Sequence, residues 1–273
     1  MDSLTFEGGS DMSGSSFQVP ASAPRRPGRR VTLLAWAVVA VLALLGVGAS
    51  AGRWQVPGRS ALAAVSAPAA PDTASAGRLA LLAEVRRELV TMRDSSYQHK
   101  TDVDTTEGAY NFDCSGFVDY ALAHSVPAAR TALPVTTSTR PLAKDFEHHF
   151  RAVANGTAAD PWQPVTTLPA LRPGDVIAWL KPADVKSRNT GHVLVALENP
   201  VRNPARADEW LVKVADSTTS PHAKDSRDDD TDGLGTGTIG LSVDGADHPV
   251  GYYWRGGVST VLKHTEISMG QPG

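Results

Sequence analysis

The chain has 273 residues, enough to bury a substantial hydrophobic core, and its formal net charge is −3. Such a charge gives no whole-chain attraction to phosphate groups, so nucleic acid is excluded as an expected partner. The single cysteine, Cys114, excludes an intramolecular disulfide, and the core must therefore hold the fold together.

Two N-terminal segments differ in composition from the rest of the chain. Residues 1–30 are rich in Gly, Ser and Pro, which is typical of a disordered tail. Residues 31–51 carry no charge, and at about 1.5 Å per residue a helix of this length spans a bilayer. The run is preceded by four arginines, Arg25, Arg26, Arg29 and Arg30. By the positive-inside rule we expect a single-pass membrane protein with a cytoplasmic N-terminus and an extracytoplasmic domain.

A secreted protein is the alternative, because the small residues "ASA" at 49–51 fit a signal-peptidase site. Residues 52–77 are rich in Ala and Pro and predict a linker. The remaining residues, 78–273, are expected to form one folded domain.

The folded domain is predicted to begin with helices and to continue with strands. Apolar residues recur at helical spacing over 81–92, and a second helix is expected from Cys114. Three β-type runs follow: "DVIAWL" from Asp175, "HVLVALE" from His192 and "WLVKVADS" from Trp210. The Gly-rich stretch at 233–241 is interpreted as a turn between strands. Helices followed by neighbouring strands predict an α+β fold with an antiparallel sheet.

Cys114 is the strongest candidate for a reactive residue. Asp113 is placed to cap the helix that starts at Cys114, and a helix N-terminus lowers the pKa of a thiol toward the reactive thiolate. The competing interpretation is a core residue, since free cysteines are among the most buried residue types. Position alone leaves both interpretations open.

Three motifs in a fixed order favour the nucleophile. They are "DCSGFV" at 113–118, "PGD" at 173–175 and "HV" at 192–193. Together they resemble the NlpC/P60 family of papain-like cysteine hydrolases, over roughly residues 79–220. The resemblance implies a papain-like fold, with helices packed on an antiparallel sheet, and a peptide or peptidoglycan-like substrate.

The resemblance also implies catalytic roles for three residues. Cys114 is expected to be the nucleophile and His192 the base that takes its proton. Asp216, from the next strand, is expected to orient the imidazole of His192.

The same comparison implies residues that bind the substrate and its oxyanion. The backbone N–H of Cys114 is one expected donor, and Tyr97 is the nearest counterpart of a family tyrosine, although the Trp-Gly-Gly that should follow it is missing. Asp113 and Ser115 flank the nucleophile in this region.

A polar segment at 220–237 leaves several alternatives open. His222, Asp225 and Arg227 are candidates for the edge of the cleft, where they would bind a charged group of the substrate. His222 is also a candidate to replace Asp216 as the orienting residue, and a solvated loop is the third interpretation. No metal site and no cofactor are expected.

These features predict a thiol hydrolase that cleaves an amide through a thioester at Cys114, and the family resemblance implies a cell-wall peptide endopeptidase or amidase. An acyl or amide transferase, or an amidase acting on another amide, would use the same site. A catalytically idle wall-binding scaffold is the alternative from another functional class.

Overall fold

The computed structural model describes residues 75–157 and 161–273. Its helices are α1 (Ala76–Thr91), α2 (Cys114–Ser125), α3 (Pro127–Ala132) and α4 (Ala143–Ala154). Its strands are β1 (Asp94–Ser96), β2 (Asp102–Asp104), β3 (Ala109–Asn111), β4 (Trp162–Val165), β5 (Val176–Leu180), β6 (Gly191–Ala196), β7 (Val201–Arg202), β8 (Glu209–Thr218), β9 (Gly233–Val243), β10 (Pro249–Tyr253), β11 (Lys263–His264) and β12 (Ile267–Pro272). Leu168–Ala170 form a short 3-10 turn.

The strands form two sheets of unequal size. The large sheet has nine strands in the order β11-β10-β9-β8-β6-β5-β12-β4, with β7 paired to β8, and its pairs are antiparallel. The small sheet has the order β1-β3-β2 and combines a parallel with an antiparallel pair.

The expected papain-like α+β fold, with helices packed on a sheet behind a transmembrane helix, is wrong. The described residues are mainly β, with twelve strands against four α-helices. The prediction missed strands such as β1–β4 and β12 because they are short and lack a regular apolar alternation. Pairing with distant strands stabilises them, and that interaction leaves no local sequence pattern.

The large sheet separates two hydrophobic clusters because side chains alternate between its faces. On β5, Val176 and Ala178 face a cluster that includes the buried residues of α1, α2 and α4. Ile177 and Trp179 face the second cluster, on the opposite side. The core thus lies on both faces of the sheet.

A capping residue starts α2 at the candidate nucleophile. Asp113 has an extended backbone, and its Oδ1 accepts hydrogen bonds from the Gly116 N–H at 2.8 Å and from the Ser115 hydroxyl at 3.0 Å. This capping was expected from the sequence, and it makes Cys114 the first residue of the helix.

The Gly-rich stretch interpreted as a turn is instead β9, which pairs with β8 along its length. Its glycines are required by a segment that crosses close to the strand. A Cβ on Gly237 would lie 2.5 Å from the Cβ of His222, and one on Gly235 would lie 2.7 Å from Nε of Arg227. The glycines of β9 permit this close approach, and they also give the strand a composition that is typical of a turn.

The membrane assignment is also corrected. Within residues 75–157 and 161–273, no helix has both the length and the apolar character needed to cross a bilayer. The predicted tail, span and most of the linker, residues 1–74, lie outside the described residues. The single-pass localisation therefore has no support in the structure.

Candidate functional site

The thiol of Cys114 lies at the buried end of a cleft, where backbone groups contact it. The residue is 5% exposed. The backbone N–H groups of Val193 and Ser115 lie close enough to the sulfur to favour its thiolate form. Because Val193 directly follows His192, this contact places the N-terminus of α2 beside the start of β6.

The resting thiol is protonated. Burial, followed by the negative charge of Asp113, raises the pKa of Cys114 to about 12, and Asp216 adds to the rise. The N–H groups of Val193 and Ser115 oppose this rise without cancelling it. The backbone N–H at the helix N-terminus thus lowers this pKa as expected, but burial and Asp113 outweigh it, so the thiol needs a base before it can react.

His192 is held by Asp216 on the adjoining strand. The distance from Nε2 of His192 to Oδ2 of Asp216 is 2.7 Å, and the carboxylate is fully buried. A carboxylate can only accept a hydrogen bond, so Nε2 of His192 must be the donor. In the neutral ring the proton is therefore on Nε2, and Nδ1 carries the free lone pair. Gly191 permits the arrangement, because it has φ +154° and a Cβ there would lie 1.9 Å from the carbonyl oxygen of Trp179.

A second hydrogen bond ties the strand of Asp216 to the segment before the nucleophile. The hydroxyl of Ser217 donates to the carbonyl of Phe112 at 2.6 Å, and both groups are buried. The Cys114, His192 and Asp216 predicted from the sequence are thus brought to one region by α2, β6 and β8.

Asp216 has two further partners behind it. Its Oδ1 accepts from Nη2 of Arg227 at 2.9 Å, and its Oδ2 accepts from Nε2 of His222 at 2.9 Å. Burial alone would raise the pKa of Asp216, but the charge of His222 and the hydrogen bonds of both histidines hold it well below its usual range. Asp216 is therefore an anion throughout the neutral range.

His222 is doubly protonated by its surroundings. Its Nε2 faces the carboxylate of Asp216, and its Nδ1 lies 2.9 Å from the carbonyl oxygen of Trp254. Both partners only accept hydrogen bonds, so both ring nitrogens must donate. Burial opposes the charge, yet the negative charge of Asp216 raises the pKa of His222.

The buried cluster behind His192 is electrically balanced. Arg227 also donates to Asp225, from Nε at 2.8 Å and from Nη2 at 2.9 Å. Two anions, Asp216 and Asp225, then face two cations, His222 and Arg227. Such pairing is what permits charges to persist away from water.

The two predictions for His222 and Arg227 as cleft residues do not match their positions. Both side chains are buried behind Asp216 and line neither of the cavities described below. Nor does His222 replace Asp216: both histidines hydrogen-bond the same oxygen of that carboxylate.

His192, Asp216 and His222 also form the kind of group that holds metal ions, with ligand atoms within 4.8 Å of one another. The two Nε2–Oδ2 distances, 2.7 and 2.9 Å, decide against a zinc ion. Tetrahedral ligands about 2.0–2.1 Å from zinc are separated by roughly 3.3 Å. Both distances are those of hydrogen bonds, so the two ring nitrogens donate to the carboxylate in this arrangement.

Arg140 is a site residue that the sequence did not reveal. It donates from Nη2 to Asp113 Oδ1 at 2.8 Å and from Nη1 to the hydroxyl of Ser115 at 2.7 Å. His99 contacts the other oxygen of Asp113 at 3.0 Å. The residues on both sides of Cys114 are thus anchored by one guanidinium, which approaches from a segment without a recognisable motif.

Tyr97 lies where two cavities meet. One cavity, of about 350 Å³, is lined by Cys114; the other, of about 290 Å³, is lined by His192. Tyr97, Asn189 and Gly191 line both. Burial and then the charge of Cys114 raise the pKa of Tyr97, so its phenol keeps its proton and can donate near the thiol.

The aromatic residues around His192 were also missed. Ring centroids lie 5.1 Å apart for His192 and Trp179, and 5.2 Å apart for His192 and Trp254. Trp179 is opposite His192 in the register of β5 and β6. The motif "GHV" beside "IAWL" was the available signal for this contact, since adjacent antiparallel strands place such residues together.

Comparison with known proteins finds one viral relative. The chain is 31% identical over 161 residues to "Uncharacterized protein R653" of Acanthamoeba polyphaga mimivirus, which covers 52% of this chain and 67% of the viral protein. No family model matches the chain, and no solved structure matches it.

Proposed function

We propose a function for this chain, which belongs to the same protein family as Uncharacterized protein R653 of Acanthamoeba polyphaga mimivirus, from the chemistry of its own site. The function is hydrolysis of an amide bond through a thioester at Cys114. The relative's printed name assigns no activity, so the residues of this chain carry the proposal.

The observation that carries it is the coupled placement of Cys114 and His192. The backbone N–H of Val193 lies close enough to act on the thiol, while the ring of His192, one residue earlier, is oriented by a buried carboxylate at 2.7 Å. A core cysteine has no need of an oriented imidazole in a cavity that adjoins its own. General-base removal of a thiol proton requires this juxtaposition.

The first half of the reaction transfers the acyl group to sulfur. His192 accepts the thiol proton at Nδ1 as the sulfur attacks the carbonyl carbon, and the S–C bond forms. The backbone N–H of Cys114 and the hydroxyl of Tyr97 donate to the oxyanion. The C–N bond then breaks as His192 returns the proton to the leaving amine.

The second half restores the enzyme. Water attacks the thioester, and His192 takes one of the water protons. The S–C bond breaks, the carboxylic acid leaves, and the proton returns to the sulfur of Cys114. Asp216 stabilises the imidazolium that exists between these proton transfers.

Acylation by p-nitrophenyl acetate tests the proposal on the full chain. Because Cys114 is the single cysteine, the thioester has one possible position. We expect a burst of about one p-nitrophenolate per chain and an acetyl adduct in the intact mass. The burst should be absent in Cys114→Ala, and its rate should fall at least tenfold in His192→Ala.

His248→Ala is the matched control for the histidine variant, because His248 is exposed and pairs with Asp244 away from the cleft. A burst rate that is the same in His192→Ala and the wild type would support the idle scaffold instead.

Acyl transfer to an amine is a second candidate function. It is favoured by the two cavities that meet at the site, since one can hold the acyl group while the other holds an acceptor amine. The ratio of amide to free acid among the products distinguishes the two functions. The cell-wall peptide implied by the resemblance stays a prediction.

A further inference from the structure

The cavity beside His192 has an aromatic wall built from separate parts of the chain. Trp179 is on β5, Tyr252 is on β10, and Trp254 follows the end of β10. The rings of Trp179 and Tyr252 stack with centroids 4.6 Å apart and planes at 23°. Trp254 lies edge-on to Tyr252 at 6.3 Å and 66°.

The orientation of Trp254 is held by hydrogen bonding as well as by packing. Its indole N–H donates to the carbonyl of Ser220 at 3.2 Å, while its own carbonyl accepts from His222. The ring also lies over His222, with centroids 4.3 Å apart. These contacts fix the orientation of Trp254 and join it directly to His222 of the buried cluster.

The charge of this cavity excludes one class of ligand. Among the described residues that line it there is no Asp or Glu, and Lys181 is the one Lys or Arg. An amine side chain entering here would meet the ammonium group of Lys181, while Asp184, whose charge reaches Tyr252, is already paired with Lys263. The cavity is suited to a flat or bulky apolar group, which would displace water from the aromatic faces.

The position of His192 defines which half of the substrate enters the cavity that His192 lines. The group that returns a proton to the leaving amine must lie within hydrogen-bond distance of that nitrogen. Substituents on the nitrogen therefore extend into the cavity lined by His192, and the acyl half extends into the cavity lined by Cys114. The two cavities share Tyr97, Asn189 and Gly191, so one extended substrate can occupy both.

We propose that the His192-side cavity is a leaving-group subsite, and that the substrates are amides whose amine half carries an aromatic or large apolar group. This inference rests on the proposed function, because it needs an acylated Cys114 and a proton donor at His192.

Amine interception of the acyl-enzyme tests the subsite directly. By microscopic reversibility, an amine that attacks the thioester must bind where the leaving amine was. The full chain is acetylated with p-nitrophenyl acetate in the presence of phenylalaninamide, leucinamide, glycinamide or lysinamide. The yields of N-acetyl amide and acetate are then measured by mass spectrometry. We expect phenylalaninamide and leucinamide to intercept at least tenfold more efficiently than glycinamide or lysinamide.

Two independent variants test the role of the cavity beside His192. Tyr252→Leu removes a ring face but keeps an apolar side chain, and should reduce the preference for phenylalaninamide severalfold. The control is Val250→Ala, an exposed position on the same strand. Val185→Glu adds a carboxylate to the half-exposed rim, and should raise interception by lysinamide relative to phenylalaninamide.

The outcomes separate the two proposals. Equal interception by all four amines, with an intact acetyl burst, overturns the subsite and leaves the thiol chemistry standing. Absence of the acetyl adduct in the wild type overturns both. A preference for phenylalaninamide that Val185→Glu shifts toward lysinamide supports the subsite.

Discussion

His222 donates from Nε2 to Oδ2 of Asp216 over 2.9 Å, on a carboxylate that also holds His192. This relationship makes His222 a buried cation whose partner is the orienting residue of the proposed base. The chemistry at Cys114 is thus supported by a network that extends through Asp216 to Arg227 and Asp225.

The first prediction concerns the charge of His222. His222→Gln removes a cation from a balanced cluster, so we expect the free energy of unfolding to fall by about 1–3 kcal/mol at pH 6. The folded-state pKa of His222 is raised above its ordinary 6.5. Its contribution to stability is therefore fully present below pH 6.5 and is lost as the pH rises through the folded value.

Urea unfolding of the wild type and of His222→Gln between pH 5.5 and 9 tests this direction of the pH dependence. The stability difference should shrink as the pH rises. His248→Gln, which changes an exposed histidine, should show no comparable trend. A wild-type advantage that is independent of pH would mean that His222 is neutral in the folded protein.

The second prediction concerns the carboxylate next to the nucleophile. Besides burial, the charge of Asp113 raises the pKa of Cys114. Asp113→Asn retains a side-chain oxygen for capping Gly116 but removes that charge. We expect the iodoacetamide alkylation rate at pH 8.5 to increase severalfold, because a larger fraction of Cys114 is then thiolate.

Asp119→Asn is the control for this variant, since Asp119 lies on the same helix and pairs with Arg130. An alkylation rate in Asp113→Asn equal to or below that of the wild type would contradict the electrostatic argument.

A third prediction concerns Glu88, whose side chain is fully buried on α1. Neither carboxylate oxygen has a hydrogen-bond partner among the described residues. Burial raises its pKa to about 9, so folding binds a proton at neutral pH and this costs stability. Because the pKa of Glu88 is higher in the folded state than in the unfolded state, Glu88 destabilises the fold increasingly as the pH rises from about 4.5 to 9.

Glu88→Gln cannot ionise and should escape that cost. We expect the variant to be more stable than the wild type at pH 7 by on the order of 3 kcal/mol at most, and to lose the advantage near pH 4. The exposed Glu107→Gln should change stability little at either pH. Parallel pH profiles for Glu88→Gln and the wild type would refute the buried, protonated carboxyl.

The fourth prediction concerns the close approach of β9 to the buried cluster. A Cβ on Gly237 would lie 2.5 Å from the Cβ of His222 and 2.6 Å from Oδ2 of Asp225. Gly237→Ala should therefore displace the segment that carries both side chains, at a cost of about 1–3 kcal/mol. It should also slow acetylation of Cys114.

Gly245→Ala is the matched substitution, because nothing lies within 4 Å of a Cβ at that position. Thermal unfolding and the acetylation burst of the two variants give the comparison. Equal stability of Gly237→Ala and Gly245→Ala would show that β9 can move away from His222 at little cost.

Local patterns in the sequence were sufficient for some elements of this protein. Helical spacing predicted α1, the acid before Cys114 predicted the cap of α2, and apolar runs predicted β5, β6 and β8. These features depend on neighbours within a few residues, so the chain itself carries their signal.

The tertiary structure alone decided the mainly β architecture and the setting of the thiol. β9 is a strand because it pairs with β8, although its glycines are typical of a turn. The pKa of Cys114 rises chiefly because the fold buries the thiol; the charges of the adjacent Asp113 and of distant Asp216 add to the rise, and the helix N-terminus does not overcome it. His222 and Arg227 lie behind Asp216 because strand pairing turns their segment inward. Each of these outcomes depends on contacts between residues far apart in the chain, and a local pattern carries no record of them.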